Sequence, residues 1–156
     1  MNEAARPATA ADVERLAALA AEAIGEQAAD RGGSVWSVRE ARPLPAEPSL
    51  KEAVEDERTL VLAGTIDDFI VGYAVVRTEE LRDGRVLGVL TDVYVEPDAR
   101  AVGVGEAMVD EVLEWCRQQG CSGVDGLALP GNRESKNFFE TFGFTARAIV
   151  VHRPLR

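Results

Sequence analysis

The chain has 156 residues, 46% of them hydrophobic and 28% charged, a composition that suits one globular domain with its own hydrophobic core. Its formal net charge of −10 argues against a nucleic-acid partner, because such a partner requires a basic surface that neutralises phosphates. No apolar run reaches the roughly 18 residues of a membrane span, and charges interrupt the Ala-rich start, so we expect a cytoplasmic protein that does not insert into a membrane.

Apolar periodicity and turn residues predict alternating elements along the chain. In chain order these are a strand at 4–8, a helix at 10–29, a short helix at 50–57, strands at 59–64, 69–77 and 86–95, a helix at 106–119, a strand at 124–129, a helix at 133–142 and a strand at 145–152. Three consecutive antiparallel strands followed by a strand–helix–strand unit predict a mixed sheet with helices on its faces.

Few residues are available for metal or triad chemistry. His152 is the single histidine, and Cys116 and Cys121 are the two cysteines. The chain therefore has few of the residues that a zinc site or a Ser-His-Asp triad requires. Cys116 falls on an apolar helix face, where we expect it to belong to the core. Several hydrolase classes are disfavoured together.

The most informative stretch is residues 90–107, LTDVYVEPDARAVGVGEA, where a strand ends at Pro97 and a strong helix follows a glycine-containing turn. The start of a helix carries unpaired backbone N–H groups and partial positive charge, so it attracts anions. Gly103 and Gly105 let a ligand come close to the backbone, and Arg100 adds a formal charge at the edge. The turn therefore predicts a diphosphate-binding site.

Two other phosphate-binding motifs fit this turn less well. A P-loop requires a lysine followed by serine or threonine after its second glycine, and no such lysine is present. The dinucleotide motif GxGxxG requires a third glycine where Met108 stands. The remaining pattern, R-x-x-G-x-G between a strand and a helix, resembles the pyrophosphate-binding motif A of the GCN5-related N-acetyltransferase (GNAT) superfamily.

The resemblance covers most of the chain and is densest over residues 90–144. Residues 132–144, NRESKNFFETFGF, are similar to the family's motif B, and residues 92–97, DVYVEP, resemble its fourth strand. The resemblance implies one domain over residues 1–156. The implied fold is α/β in the broad sense (α+β), with a mixed, mostly antiparallel central sheet of six to seven strands flanked by about four helices.

The resemblance further implies an N-acetyltransferase that uses acetyl-CoA as its co-substrate and needs no metal. Backbone groups of Val93, Tyr94 and Val95 would hold the pantetheine arm, and Asn132 and Phe139 would lie beside the cofactor. Asn132 is equally suited to capping a helix. The other implied cofactor-binding residues belong to the turn and the helix start: Arg100, Ala101, Val102, Gly103, Val104, Gly105, Glu106 and Ala107.

The positions that usually supply acid–base chemistry depart from the family's pattern. Many members have a tyrosine on the motif B helix that protonates the leaving thiolate, and here Phe139 stands in its place. The fourth-strand positions that often hold Glu or His are Val89 and Thr91. Asp92 is the candidate catalytic base, on the opposite strand face unless a β-bulge re-aims it; deprotonation through water is the alternative.

We expect direct attack of a primary amine on acetyl-CoA in a ternary complex, since no Cys–His pair supports a covalent acetyl-enzyme. The acceptor would be a small-molecule amine, a peptide N-terminus or a lysine, with Trp36 and Tyr73 as candidate pocket residues and Glu79 and Glu80 as candidates for binding its charge.

The alternative, favoured by Phe139, is an acyl-CoA-binding sensor or regulatory module with lost or altered catalysis. A small α/β protein binding another phosphate ligand is a third reading. A homodimer is compatible with the resemblance.

The predicted diphosphate site leads to a first test. Gly105→Asp places a side chain and a negative charge at the turn, so we expect acetyl-CoA binding to be lost in a variant that remains folded. Isothermal titration calorimetry measures the affinity, and circular dichroism confirms the fold. Retained affinity in the folded variant would show that the diphosphate binds elsewhere.

Overall fold

The structure, a computed structural model, describes residues 1–155 and contains one five-stranded sheet in the order β1-β2-β3-β4-β5. The strands are β1 (Glu3–Pro7), β2 (Thr59–Ile66), β3 (Phe69–Glu80), β4 (Val86–Val95) and β5 (Cys121–Asp125). The first four are antiparallel neighbours, and β5 runs parallel to β4. Arg156 lies outside the described residues.

Five α-helices accompany the sheet, together with short 3-10 turns at Ala10–Asp12 and Pro97–Ala99. The helices are α1 (Val13–Ala28), α2 (Gly33–Arg39), α3 (Glu47–Glu55), α4 (Val104–Gln118) and α5 (Arg133–Thr141). Helices α1 and α3 pack on one face of the sheet through Leu16, Leu19 and Leu50, which are fully buried. Helix α4 packs on the other face, where Met108 and Cys116 are fully buried.

The mixed, mostly antiparallel fold class predicted from the sequence is confirmed, but the strand count is lower than expected. Residues 145–152, expected as a last strand, form none, because no neighbouring strand within residues 1–155 pairs with them. The strand expected at 124–129 begins and ends earlier, as β5. Helix α2 was not predicted, because the two glycines at its start read as a break in helical periodicity.

Two irregularities of β4 shape the site. Val75 of β3 lies opposite Asp92 and Val76 opposite Leu90, so Thr91 is the extra residue of a β-bulge. Leu90 therefore points into the core beneath α4, whereas Asp92 points to the α1 face. In addition, β5 pairs with β4 only over residues 86–89, so the edge of β4 beyond that point has no strand beside it in the described chain.

No helix within residues 1–155 has both the length and the apolar character to cross a membrane.

Candidate functional site

The separation of β4 from β5 opens a cleft at the surface of the sheet. Helix α1, the start of α4 and helix α5 form its sides, and the free part of β4 forms its floor. Of the residues singled out in the sequence, the following line it: Asp92, Val93, Tyr94, Val95, Arg100, Ala101, Gly105, Glu106, Asn132 and Phe139. Val102, Gly103, Val104 and Ala107 do not, although Ala101 of the same turn and Gly105 and Glu106 of the same helix start do.

The turn before α4 has the geometry of an anion site. Gly103 occupies the N-cap position with φ of +100°, a left-handed conformation that favours glycine. The first N–H groups of any α-helix have no intrahelical partners, and Gly103 has no side chain that could accept from those of α4. Ala101, with φ of +66°, has the same unusual backbone handedness. Backbone N–H groups and the helix dipole therefore act together at this end of the cleft.

Gly105 is buried under the ring of Phe138, whose Cε1 would lie 2.9 Å from an added Cβ. Val104 is also buried, and it anchors the first turn of α4 in the core against the sheet. The helix start is thus held by packing on both sides, which fixes the direction of its N–H groups.

Arg100 lies at the edge of the cleft with its charge already paired. Its Nε donates to the Val95 carbonyl at 2.8 Å, and its Nη2 donates to both carboxylate oxygens of Glu26 at 3.0 and 3.1 Å. Its Nη1 is 3.8 Å from Glu134, and its guanidinium lies 5.4 Å from the centre of the Tyr94 ring. A diphosphate that binds Arg100 would therefore compete with two carboxylates.

Asn132 caps α5, since its Oδ1 accepts from the Ser135 N–H at 3.0 Å. Its side-chain amide also donates to Asp30 at 3.3 Å. Phe139 is buried and lies against Gly126, where an added Cβ would be 2.5 Å from the ring. The ring therefore packs against the chain that leaves β5, and it offers no proton.

Asp92 is the centre of a buried polar network. Its carboxylate accepts from Arg42 Nε at 3.1 Å and Nη2 at 2.8 Å, from the Tyr73 hydroxyl at 2.8 Å and from the Thr91 hydroxyl at 2.7 Å. The side chains of Arg42 and Asp92 are only 11% and 9% exposed. A carboxylate accepts about four hydrogen bonds, so this one is saturated.

The pKa values of two tyrosines in the cleft are displaced upward. Burial, reinforced by the neighbouring Asp92, raises the pKa of Tyr73 well above its ordinary value. Burial, together with the hydrogen bond to Glu26, raises the pKa of Tyr94 to about 12. Both hydroxyls therefore keep their protons at ordinary pH and act as hydrogen-bond donors.

The sequence did not single out Arg42 or Glu26. Arg42 belongs to a Pro-rich connection without a recognisable motif, and it meets Asp92 from 50 positions away. Glu26 lies on α1, where it reads as one of several solvent-facing acids. Arg42 and Glu26 reach the cleft only because α1 and the connection after α2 pack on the sheet. Trp36, Gln27 and Ala41 also line the cleft.

The model of the acetyltransferase (GNAT) family matches residues 18–144 of this chain. The match covers most of the chain and includes both the turn before α4 and the helix that carries Phe139. The chain therefore belongs to the GNAT acetyltransferase family.

Individual relatives agree with this family. Glucosamine 6-phosphate N-acetyltransferase of Trypanosoma brucei brucei is 35% identical over 79 residues, which are 49% of this chain and 52% of that protein, so the match spans about half the length of this curated relative. The BH1408 protein of Bacillus halodurans, solved as a tetramutant, has a TM-score of 0.83 at 20% identity over 97% of this chain and 99% of its own. AAC(6')-Iy, in complex with the bisubstrate analog CoA-S-monomethyl-acetylneamine, has a TM-score of 0.75 at 17% identity over 100% and 99% of the two chains. The two structural likenesses show the fold alone.

Because the ion pair of Arg42 and Asp92 is buried, we expect its loss to lower the stability of the fold strongly. Arg42→Ala leaves Asp92 buried without its counter-charge, so we expect the free energy of unfolding to fall by about 3–5 kcal/mol. Arg39→Ala is the control, since that side chain is 71% exposed, and its effect should stay within about 0.5 kcal/mol. Urea unfolding followed by tryptophan fluorescence measures both. Similar losses for the two variants would contradict the role of the pair.

Proposed function

We propose that this protein transfers an acetyl group from acetyl-CoA to a primary amine by direct attack in a ternary complex. The single observation that carries the proposal is one continuous cleft that joins the anion-binding turn before α4 to the Asp92 network. A cofactor whose diphosphate lies at the turn and whose pantetheine follows the free edge of β4 would carry its thioester towards Asp92. Membership of an acetyltransferase family supports this arrangement.

In the proposed complex the cofactor is held largely by backbone groups. The N–H groups from Ala101 to Ala107 would bind the diphosphate, and Arg100 would exchange a carboxylate partner for a phosphate. Val93, Tyr94 and Val95 would bind the pantetheine through the edge of β4 that β5 leaves free. Asn132 and Phe139 would border the same arm from α5.

We propose Asp92 as the final proton acceptor, reached through a hydroxyl. All four acceptor positions of its carboxylate are occupied, and the two N–H donors of Arg42 cannot carry a proton onward. The hydroxyls of Tyr73 and Thr91 both donate and accept, so either one can take a proton from the amine, directly or through water, while passing its own to Asp92. Thr91 stands on the bulge at the cleft surface, which makes it accessible to an acceptor.

The leaving thiolate needs a different source of protons from the one usual in the family. Phe139 has none to give, and the Tyr73 hydroxyl is committed to Asp92. We propose that a water molecule protonates the thiolate, and that the hydroxide left behind takes back the proton that Asp92 received from the amine.

The proposed base leads to a kinetic test. We expect Asp92→Asn to lower kcat by at least about 100-fold, because the hydroxyls lose the group that receives their proton. Acetyl-CoA affinity, measured by calorimetry, should be retained. Asp110→Asn, which makes the same change at an exposed carboxylate on α4 outside the cleft, is the control and should leave kcat unchanged. Full activity in a folded Asp92→Asn variant would show that the proton of the amine does not pass to Asp92.

The class of acceptor can be tested with a panel of amines, two of which are suggested by the names of the similar proteins. Thiol release from acetyl-CoA would be measured with glucosamine 6-phosphate, neamine, a peptide with a free N-terminal amine and a polyamine. We expect turnover with at least one primary amine, and the acetylated product identifies the nitrogen. Loss of acetyl-CoA binding altogether would overturn the proposal.

Phe139 and the saturated Asp92 carboxylate favour a second candidate function, an acyl-CoA-binding sensor or regulatory module with the GNAT fold. The same panel separates the two. Tight acetyl-CoA binding without turnover on any amine supports the sensor, whereas turnover on one of them excludes it.

A further inference from the structure

Arg100 and Asn132, two of the side chains expected to bind the cofactor, each have an acidic partner from the same end of α1. Arg100 Nη2 donates to both carboxylate oxygens of Glu26, at 3.0 and 3.1 Å. Asn132 Nδ2 donates to Asp30 Oδ2 at 3.3 Å. The partners are 74 and 102 positions apart in the chain, so the end of α1 meets both the turn before α4 and the start of α5.

The two acids stand where their own helix disfavours them. Glu26 belongs to the last turn of α1, and Asp30 follows just after its end. The C-terminal end of a helix carries partial negative charge, so acidic side chains are unfavourable there. The last turn of α1 has no basic residue that would offset them. Their favourable contacts come instead from Arg100 and Asn132.

The donors that a cofactor would use are the ones that these acids occupy. Arg100 Nε and Nη2 both donate to protein oxygens, and its Nη1 is 3.8 Å from the Glu134 carboxylate. Asn132 Oδ1 caps α5, so the donor that it has for a ligand is Nδ2, from which Asp30 accepts. A ligand that binds either side chain must therefore replace a carboxylate.

We propose that Glu26 and Asp30 compete with the cofactor for Arg100 and Asn132, so that acetyl-CoA binds by displacing both carboxylates. The inference rests on the proposed function, which places the diphosphate at Arg100 and the pantetheine arm beside Asn132. A competitor within the protein lowers the affinity for acetyl-CoA and for the product CoA alike. The carboxylates regain their partners as CoA leaves, so the competition favours release of the product.

Calorimetry with acetyl-CoA tests the role of Glu26. Glu26→Gln removes the charge that binds Arg100 but keeps an oxygen that can accept from the Tyr94 hydroxyl, so we expect acetyl-CoA to bind about fivefold more tightly. Glu22→Gln removes the same charge at an exposed position of α1 outside the cleft, and as the control it should change the affinity less than about twofold. Unchanged or weaker binding by a folded Glu26→Gln variant, or equal tightening by Glu22→Gln, would overturn the proposal.

A truncated ligand separates the roles of the two acids. Adenosine 3′-phosphate 5′-diphosphate has the diphosphate of CoA but lacks the pantetheine arm. We expect Glu26→Gln to bind both ligands more tightly, because both carry the diphosphate. Asp30→Ala should bind acetyl-CoA about threefold more tightly and leave the affinity for the truncated ligand unchanged, because it frees only Asn132. An Asp30→Ala variant that binds acetyl-CoA no more tightly, or that gains equally for both ligands, would overturn the role of Asp30.

The unaltered chain distinguishes failure of this competition from failure of the proposed function. If it binds neither acetyl-CoA nor the truncated ligand, both proposals are wrong. If it binds acetyl-CoA, and neither Glu26→Gln nor Asp30→Ala binds acetyl-CoA more tightly, the competition is wrong and the proposed function stands.

Discussion

The separation of β4 and β5 is the constraint on which the rest of the site depends. The two strands pair only over residues 86–89, and the ring of Phe139 packs against Gly126 just beyond the end of β5. The free edge of β4 and the start of α4 consequently face the same opening. A continuous parallel ladder between the two strands would close the cleft that joins the turn before α4 to Asp92.

The two ends of the cleft are built in different ways. The turn before α4 relies on backbone groups, whose directions are set by Gly103 and by the packing of Val104 and Gly105. The opposite end relies on side chains from separate elements, with Arg42 and Asp92 joined in a buried ion pair. Backbone groups of a turn offer the same donors whatever side chains surround them, whereas a site built from side chains changes with the residues that form it.

Sequence reasoning succeeded where the signal was local. The strand at 86–95 was predicted with the bounds that the structure has, and Asn132 was recognised as a helix cap. It failed where partners decide the outcome. Residues 145–152 have strand composition, but a strand exists only where another strand pairs with it. Helix α2 is short and begins at two glycines, so tertiary packing overrides its weak propensity.

The sequence by itself determined the family, the fold class and the position of the glycine-containing turn before α4, because glycine spacing and helix starts act over a few residues. Only the tertiary structure decided the surroundings of Asp92. The bulge at Thr91 depends on the register between two strands, and Arg42 arrives from a connection without a motif. Contacts between distant residues follow from packing of whole elements, which no local pattern records.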